Sequence, residues 1–423
     1  MRISDLRVEP NGDRVRAVAH VVWEDCARPA RDIYFETEAE FADRLRCDPN
    51  AFAVAAVVPA MRYGEKRLAV EGALCPHLQQ GIDAAVSLLR WWYGPPRSAI
   101  QIEPRDGFRA SVPPATPRAA CFLSGGVDSL AMLRTNRLQL PLDHARSFKE
   151  ALLVYGVDMA RSEETAALRV GLFESARRAL QPIAEEAQLT VIPVYTNLKT
   201  LEPGFRFWLA EFLGAGLGAI ATAFSPRFTD MSIASNGWFG SIVSNGWLDY
   251  LPPFGSHPVL DPLYGTAGLH LHHEDMMVTR YEKVRLIGGW PVAMDNLRVC
   301  WNYPIPPGQL NCGKCGKCTY TMLELLAAGL LARAPTFACD DLGEAEVSRV
   351  EITDDLDVAY FGELIGPLEV VYRRDLSRIL RRKIRGYRMR GLGRSLSKPI
   401  KRLDRVYLHG RIQRVLRGDR RPP

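Results

Sequence analysis

The sequence predicts an α/β fold, a parallel sheet with helices on both faces, and three observations carry that prediction. Short apolar runs recur at 119–123, 151–155, 189–195 and 231–234, each followed by polar or glycine positions. Between the second and third runs, residues 163–187 are long enough for a crossover helix. Between the first run and Leu130-Ala131-Met132-Leu133 stands Ser124-Gly125-Gly126-Val127-Asp128-Ser129, which reads as strand, tight loop and helix start. Strands alternating with helices in this way pair in parallel and leave both sheet faces to be covered.

Taken in chain order, residues 1–112 read as a small α+β domain of their own. Across 14–24, Val15, Ala17, Ala19, Val21 and Trp23 fall on one side of a half-buried strand. Residues 51–60 and 66–71 read as two further strands joined at Met61-Arg62-Tyr63-Gly64. Residues 78–93 read as a helix that ends in Trp91-Trp92-Tyr93 ahead of Gly94-Pro95-Pro96. The run Ser111-Val112-Pro113-Pro114-Ala115-Thr116-Pro117 marks a linker, which puts the β/α domain at 113–366. Inside that domain the crossover helix is expected to break near Pro182, which lacks an N–H donor. Gly214-Ala215-Gly216-Leu217-Gly218-Ala219 matches the dinucleotide pattern G-x-G-x-x-[GA], but it lies within one apolar helix, 207–224, instead of at a strand-to-helix turn. Small residues there suit close helix packing.

Residues 367–423 form a basic, helical tail. Leu376, Ile379, Leu380, Ile384 and Tyr387 recur at helical spacing among arginines; Gly386, Gly391 and Gly393 then interrupt, and a second segment follows at 401–416. Between Val371 and Pro423 there are 19 Lys/Arg against 3 Asp/Glu, a net of +16 in a chain of net +6, which leaves −10 for the rest. Such a tail suits RNA, an anionic lipid surface or an acidic partner protein, or else packs on the acidic body of its own chain.

With 47% hydrophobic and 24% charged residues, the 423-residue chain has an ordinary globular composition. The N-terminus lacks a basic-then-apolar signal layout, and the apolar stretch 212–224 is too short for a bilayer, so a soluble cytoplasmic protein without a transmembrane segment is expected. The nine cysteines then read as thiols or metal ligands, not as a disulfide framework.

The loop at 124–129 carries chemistry by its residue types. Adjacent glycines let the backbone turn and approach a ligand closely, while two Ser hydroxyls and the free N–H groups of a helix start form a cradle for an anion, here of pyrophosphate size. The plain alternative is a glycine-rich turn with a Ser/Asp cap. The pattern G-x-x-x-x-G-K-[ST] is absent. The hexapeptide resembles the SGGxDS signature of the PP-loop ATP pyrophosphatases. That resemblance implies an ATP site in which the glycine amides, with Ser124, Val127 and Ser129, hold the β and γ phosphates and Asp128 helps place Mg²⁺. Ligands of parallel sheets sit at the carboxyl ends of the strands. Gly156-Val157-Asp158 and Ser235-Asn236-Gly237 stand at two other such ends and would complete the nucleotide site.

Cys300, Cys312, Cys315 and Cys318 follow the spacing C-x11-C-x2-C-x2-C. Four thiolates with glycines at 313 and 316 suit a closed tetrahedral zinc that stabilises the fold; an iron–sulfur cluster or a redox CxxC pair are the other readings. Cys300-Trp301 with Asn311-Cys312-Gly313-Lys314-Cys315-Gly316-Lys317-Cys318 is similar to the zinc motif of 7-cyano-7-deazaguanine synthases, and Thr279-Arg280-Tyr281-Glu282-Lys283-Val284 to the segment before it. The likeness covers residues 118–330 or so. It implies that ATP activates a carboxylate, that ammonia converts it to an amide, and that a second activation dehydrates the amide to a nitrile. The spacing from Cys300 to Cys312 is longer than that family's usual loop, and Arg280 stands where Lys is common.

On the substrate side, Gly255-Ser256-His257-Pro258 and the group His270, His272, His273, Glu274, Asp275 read as a substrate loop, its neighbouring histidines pointing to opposite sides. Arg280 and Lys283 share one helical face, where they would hold phosphate or a substrate carboxylate, or form a solvated surface. Together with Asp128 and Ser129 they are the expected catalytic residues.

The reading is therefore an ATP-, Mg²⁺- and Zn²⁺-dependent ligase that adenylates a carboxylate or amide oxygen, on a small molecule or on a protein, and passes it to nitrogen. A homodimer is compatible with it. The alternatives are a PP-loop enzyme that thiolates or ligates RNA, and a nucleotide-dependent binding component of a multiprotein system such as phage defence.

Overall fold

The computed structural model of the chain describes residues 1–157, 166–237, 239–240, 252–300, 305–306 and 308–407. Among these residues ten strands form one sheet in the order β10-β9-β6-β7-β8-β3-β2-β1-β4-β5. In chain order they are β1 (Arg2–Asn11), β2 (Arg14–Val22), β3 (Arg31–Glu38), β4 (Arg67–Val70), β5 (Gln101–Pro104), β6 (Ala119–Phe122), β7 (Phe148–Tyr155), β8 (Thr190–Thr196), β9 (Asp230–Ala234) and β10 (His270–Glu274). The five strands β6–β10 are all parallel. The chain enters that half at β6, moves outward through β7 and β8, then returns to the other side of β6 for β9 and β10. The strand order thus reverses between β6 and β9, and a crevice opens at such a point beyond the carboxyl ends.

The described helices used below are α1 (Pro49–Arg62), α2 (Pro76–Tyr93), α3 (Val127–Gln139), α4 (Ala166–Ala187), α5 (Leu213–Ala223), α6 (Arg280–Gly288), α7 (Gly316–Ala327), α8 (Asp355–Glu363) and α9 (Arg374–Tyr407). Alternate residues of the strands feed two separate cores. Ala120, Leu152, Ile192 and Met231 pack with α1, α2 and α5. Ala119, Cys121, Ala151 and Leu153 pack with α3, α4 and the helices from α6 onward. Both faces are covered, as a sheet buried on two sides requires.

The strands of the N-terminal residues continue the same sheet. Their strand β3 pairs antiparallel with β8, Phe35 opposite Thr196 and Glu36 opposite Tyr195, and so closes an edge that would otherwise expose unpaired backbone groups. Residues 51–60 are not a strand either, since they lie within α1, where every side chain from Asn50 to Met61 is buried. A helix enclosed all round has no polar stripe, so its periodicity is invisible in the sequence. The signals that fix it are local: Asp48 accepts the Asn50 N–H at 2.9 Å as N-cap, and Pro49 occupies the first turn.

Three further expectations change. Helix α4 runs through Pro182 without a break. Helix α9 is continuous from Arg374 past Gly386, Gly391 and Gly393; of the expected second tail segment, residues 408–416 lie outside the described residues. His270–Glu274 is the outermost strand, not a loop. The glycines of α5 make close contacts, as expected. A Cβ on Gly216 would approach Trp208 at 2.7 Å, and one on Gly218 would approach Tyr264 at 2.9 Å. No described helix is long and apolar enough to cross a membrane.

Candidate functional site

The loop after β6 turns at Gly125, whose φ of +78° lies in the region that favours glycine, and enters α3 at Gly126. Ser129 Oγ ties the loop together. It accepts from Ser124 N at 3.3 Å, donates to Gly126 O at 3.1 Å and lies 3.2 Å from Ser124 Oγ. Arg298 N donates to Gly125 O at 3.0 Å and pins the turn from the outside. The first-turn N–H groups of α3 have no intrahelical acceptors, so they and the exposed Ser124 face the crevice as donors.

The loop after β9 forms the opposite wall. Ser235 Oγ accepts from Gly237 N at 3.2 Å, and a Cβ on Gly237 would come within 2.7 Å of Arg280 N, so this turn seats directly on the start of α6. Thr279 caps that helix through a reciprocal bond pair with Glu282. Lys283, fully buried one turn further on, donates to Ser235 O at 2.7 Å. Burial pushes the Lys283 amine down, while Asp128 and Asp275 pull it back up. After β7, a Cβ on Gly156 would fall 1.9 Å from Thr196 O, so glycine is required there by the neighbouring strand. Val157 follows it, and Asp158 lies outside the described residues.

An ionic chain runs behind the glycine loop. Asp128 Oδ2 accepts from Arg280 at 2.5 Å, Arg280 Nε donates to Glu324 at 3.2 Å, and a second Arg280 nitrogen donates to Thr321 Oγ1 at 3.2 Å. Arg280 also lies over the Tyr320 ring, 5.6 Å from its centroid. Burial alone would raise the Asp128 carboxyl, but Arg280, Lys283 and Lys317 outweigh it and hold it below its ordinary value. Glu324 has the opposite fate: burial, with Glu363 nearby, pushes it up to about 8 against the pull of Arg280. The other Asp128 oxygen, Oδ1, is buried and has no hydrogen-bond partner among the described residues. So is Oε1 of Glu324.

The four cysteines converge, their sulfurs all within 4.8 Å of one another. Cys300 and Cys315 lie 3.9 Å apart, Cys312 and Cys318 3.8 Å apart. Ligands about 2.3 Å from a tetrahedral zinc stand about 3.8 Å from each other, so the cluster fits that ion. Backbone N–H groups of Lys314 and Cys315 point at the Cys312 sulfur, and that of Cys318 at the Cys315 sulfur, which favours thiolates. Gly313, at φ +67°, makes the turn between them. Asn311 joins the two arms of the site: its Oδ1 accepts from Val299 N and Cys300 N, and its Nδ2 donates to Leu297 O.

Helix α7 connects the two features. It starts at the cluster, with Cys315 as N-cap, and at successive turns presents Cys318, Thr321 and Glu324. The last two hold Arg280, which holds Asp128. Arg280 and Lys283 share a helix face as expected, but that face is buried, not solvated. Of the candidate substrate histidines, His272 bonds Asp230 at 2.7 Å and His273 bonds the buried Asp261 at 2.8 Å, both within the fold. Sequence reasoning missed Thr321, Glu324 and Asn311. The spacing of three from Cys318 through Thr321 to Glu324 was the available signal for the first two, and Asn311 stood beside Cys312.

Comparison with known proteins returned no match: no family model, no curated protein and no solved structure is similar to the chain.

Proposed function

We propose that the chain is an ATP-dependent ligase of the PP-loop kind, which adenylates a carboxylate or amide oxygen and transfers the activated carbon to a nitrogen nucleophile. The observation that supports this most is the position of the glycine loop: it sits where the strand order reverses, with Ser235–Gly237 opposite and an unpartnered buried Asp128 oxygen behind it. In the reaction an acceptor oxygen attacks the α-phosphorus, the bond to the bridging oxygen breaks, and pyrophosphate leaves. Its developing charge falls on the donors of the loop, Ser124 Oγ and the α3 N–H groups. Asp128 Oδ1 is the oxygen available to Mg²⁺, which when bound neutralises phosphate charge. Arg280 fixes Asp128 in place, and Lys283 adds positive charge beneath Ser235. Attack by ammonia at the carbonyl carbon then expels AMP and leaves an amide.

Protein, Mg²⁺ and ATP mixed with candidate acids should yield AMP and pyrophosphate in equal amounts. Release of ADP and phosphate would overturn the reading. Asp128→Asn should lower pyrophosphate release by about 10²–10³-fold in a chain that still folds. Mass spectrometry after incubation with ATP, ammonia and 7-carboxy-7-deazaguanine tests the deazapurine acceptor specifically: a nitrile product supports it, and an unchanged mass removes it.

A further inference from the structure

The first half of α9 leaves an uncommon surface. Leu376, Ile379, Leu380 and Ile384 are buried in the second core, so the apolar face of this helix is already occupied by its own chain. On the opposite side Arg374, Arg378, Arg381, Arg385 and Arg388 recur at intervals of four, three, four and three residues, with Arg382 flanking them. At 3.6 residues per turn these six make one stripe about 21 Å long. Every exposed residue from 374 to 388 is one of these arginines. The acidic body claims few of the cations in this region. Arg373 pairs with Asp341 and Asp375, and Arg381 with Glu369 at 2.8 Å. Among the described residues Arg374, Arg378, Arg382, Arg385 and Arg388 make no ion pair. The one lysine here, Lys383, donates inward to Ser348 O at 2.6 Å.

We infer that this stripe is a docking surface for the phosphodiester backbone of a duplex nucleic acid, independent of the adenylation reading. A lipid surface fits less well, because a helix that lies in a membrane inserts its apolar face, and here that face is buried in protein. An acidic protein partner fits less well too: protein interfaces centre on aromatic or aliphatic anchors, and none is exposed between these arginines. Nor is there an exposed aromatic between the arginines; Tyr372, exposed just ahead of Arg374, is a single ring and makes no platform for successive unpaired bases. What remains is a row of planar, always charged forks, which suits phosphates presented at regular intervals along a rod.

The test is fluorescence anisotropy of the full chain with a labelled 25-base-pair duplex of mixed sequence, titrated over a series of salt concentrations, beside phosphatidylserine vesicles and polyglutamate. Binding to the duplex should weaken steeply with salt. Arg378→Ala with Arg385→Ala should reduce the slope of log K on log salt by about 1.8, since each phosphate contact contributes about 0.9. Both residues are exposed, so the double variant should unfold at the same temperature as the parent. An unchanged slope in a folded double variant, or tighter binding to the vesicles or to polyglutamate than to the duplex at equal salt, would overturn the proposal.

Discussion

Two arginines, each ringed by carboxylates, distinguish the two halves of the sheet. Arg7 on β1 bonds Asp5, Glu9 and Asp32 at 2.6, 2.7 and 2.8 Å, and its side chain is 31% exposed. Arg280 on α6 forms ion pairs with two carboxylates among the described residues, Asp128 and Glu324, and is 6% exposed. A count of bonds would rank Arg7 first. Solvent reverses the order, because water screens the exposed hub, whereas the buried hub leaves unpaired charge behind if one member is removed. The mainly antiparallel half thus keeps such a hub where it is cheap to alter, while the parallel half encloses charge between a cysteine cluster and a glycine loop.

The largest effect should come from the cluster itself. Cys312→Ser or Cys318→Ser should abolish stoichiometric zinc, measured by elemental analysis of the purified protein, and should loosen α7 and with it the core under α3. Hydrogen exchange would register faster exchange in α6–α9 than in β1–β3. Uniform loss across both halves would break the comparison, since it would mean that the metal does not act locally. The connection is physical: α7 both starts on Cys315 and carries Glu324 to Arg280.

Arg280→Ala comes next, at about 3–5 kcal/mol, the cost of orphaning fully buried Glu324 and half-buried Asp128. Its pH dependence tests the cause. Glu324, raised by burial from an ordinary 4.5 to about 8, holds its proton more tightly in the folded chain. Its contribution to stability is therefore complete below about pH 4.5 and is lost as pH rises towards 8. Urea midpoints of the parent should carry that decline, and Glu324→Gln should remove it. Identical pH profiles for the two would show that Glu324 is not the titrating group.

Backbone constraints rank third. Gly156→Ala adds a Cβ 1.9 Å from Thr196 O at φ +97°, which should cost about 2–4 kcal/mol and shift β7 against β8. Gly171→Ala in α4 meets nothing within 4 Å and should stabilise by about 0.5–1 kcal/mol. Thermal unfolding of the pair reads both signs at once. Equal effects would mean that the site-facing turn is no tighter than an exposed helix position.

Legibility in the sequence followed the same division. In the parallel half, β6–β9 announced themselves because each short apolar run ends at a polar or glycine turn, and the cysteines declared their site by spacing alone. The partners of Arg280 were harder to read, since Glu324 is 44 residues away and only packing brings it close. In the other half α1 was misread because complete burial erased its periodicity, and the seam between β3 and β8 could not be seen because pairing leaves no local mark on either strand. What stays hidden in a sequence is long-range pairing and the difference between a charge that is solvated and one that is enclosed; the first half of α9 shows this too, Arg374 to Arg388 on one side and Leu376 and Leu380 in the core.

Arg7→Ala is the smallest effect and the sharpest control. Three ion pairs vanish with it, yet each was partly solvated, and the carboxylates left behind can rehydrate. The loss should stay below about 1 kcal/mol at moderate salt and shrink further at 1 M salt, where the screening length falls to about 3 Å. Arg280→Ala should change less with salt, because Glu324 is enclosed and the Asp128 side chain is only 22% exposed. Urea melts of both variants at low and high salt put the two hubs on one scale. A loss above about 3 kcal/mol for Arg7→Ala that persists in high salt would mean that the β1–β3 surface, and not the buried network alone, is built on charge.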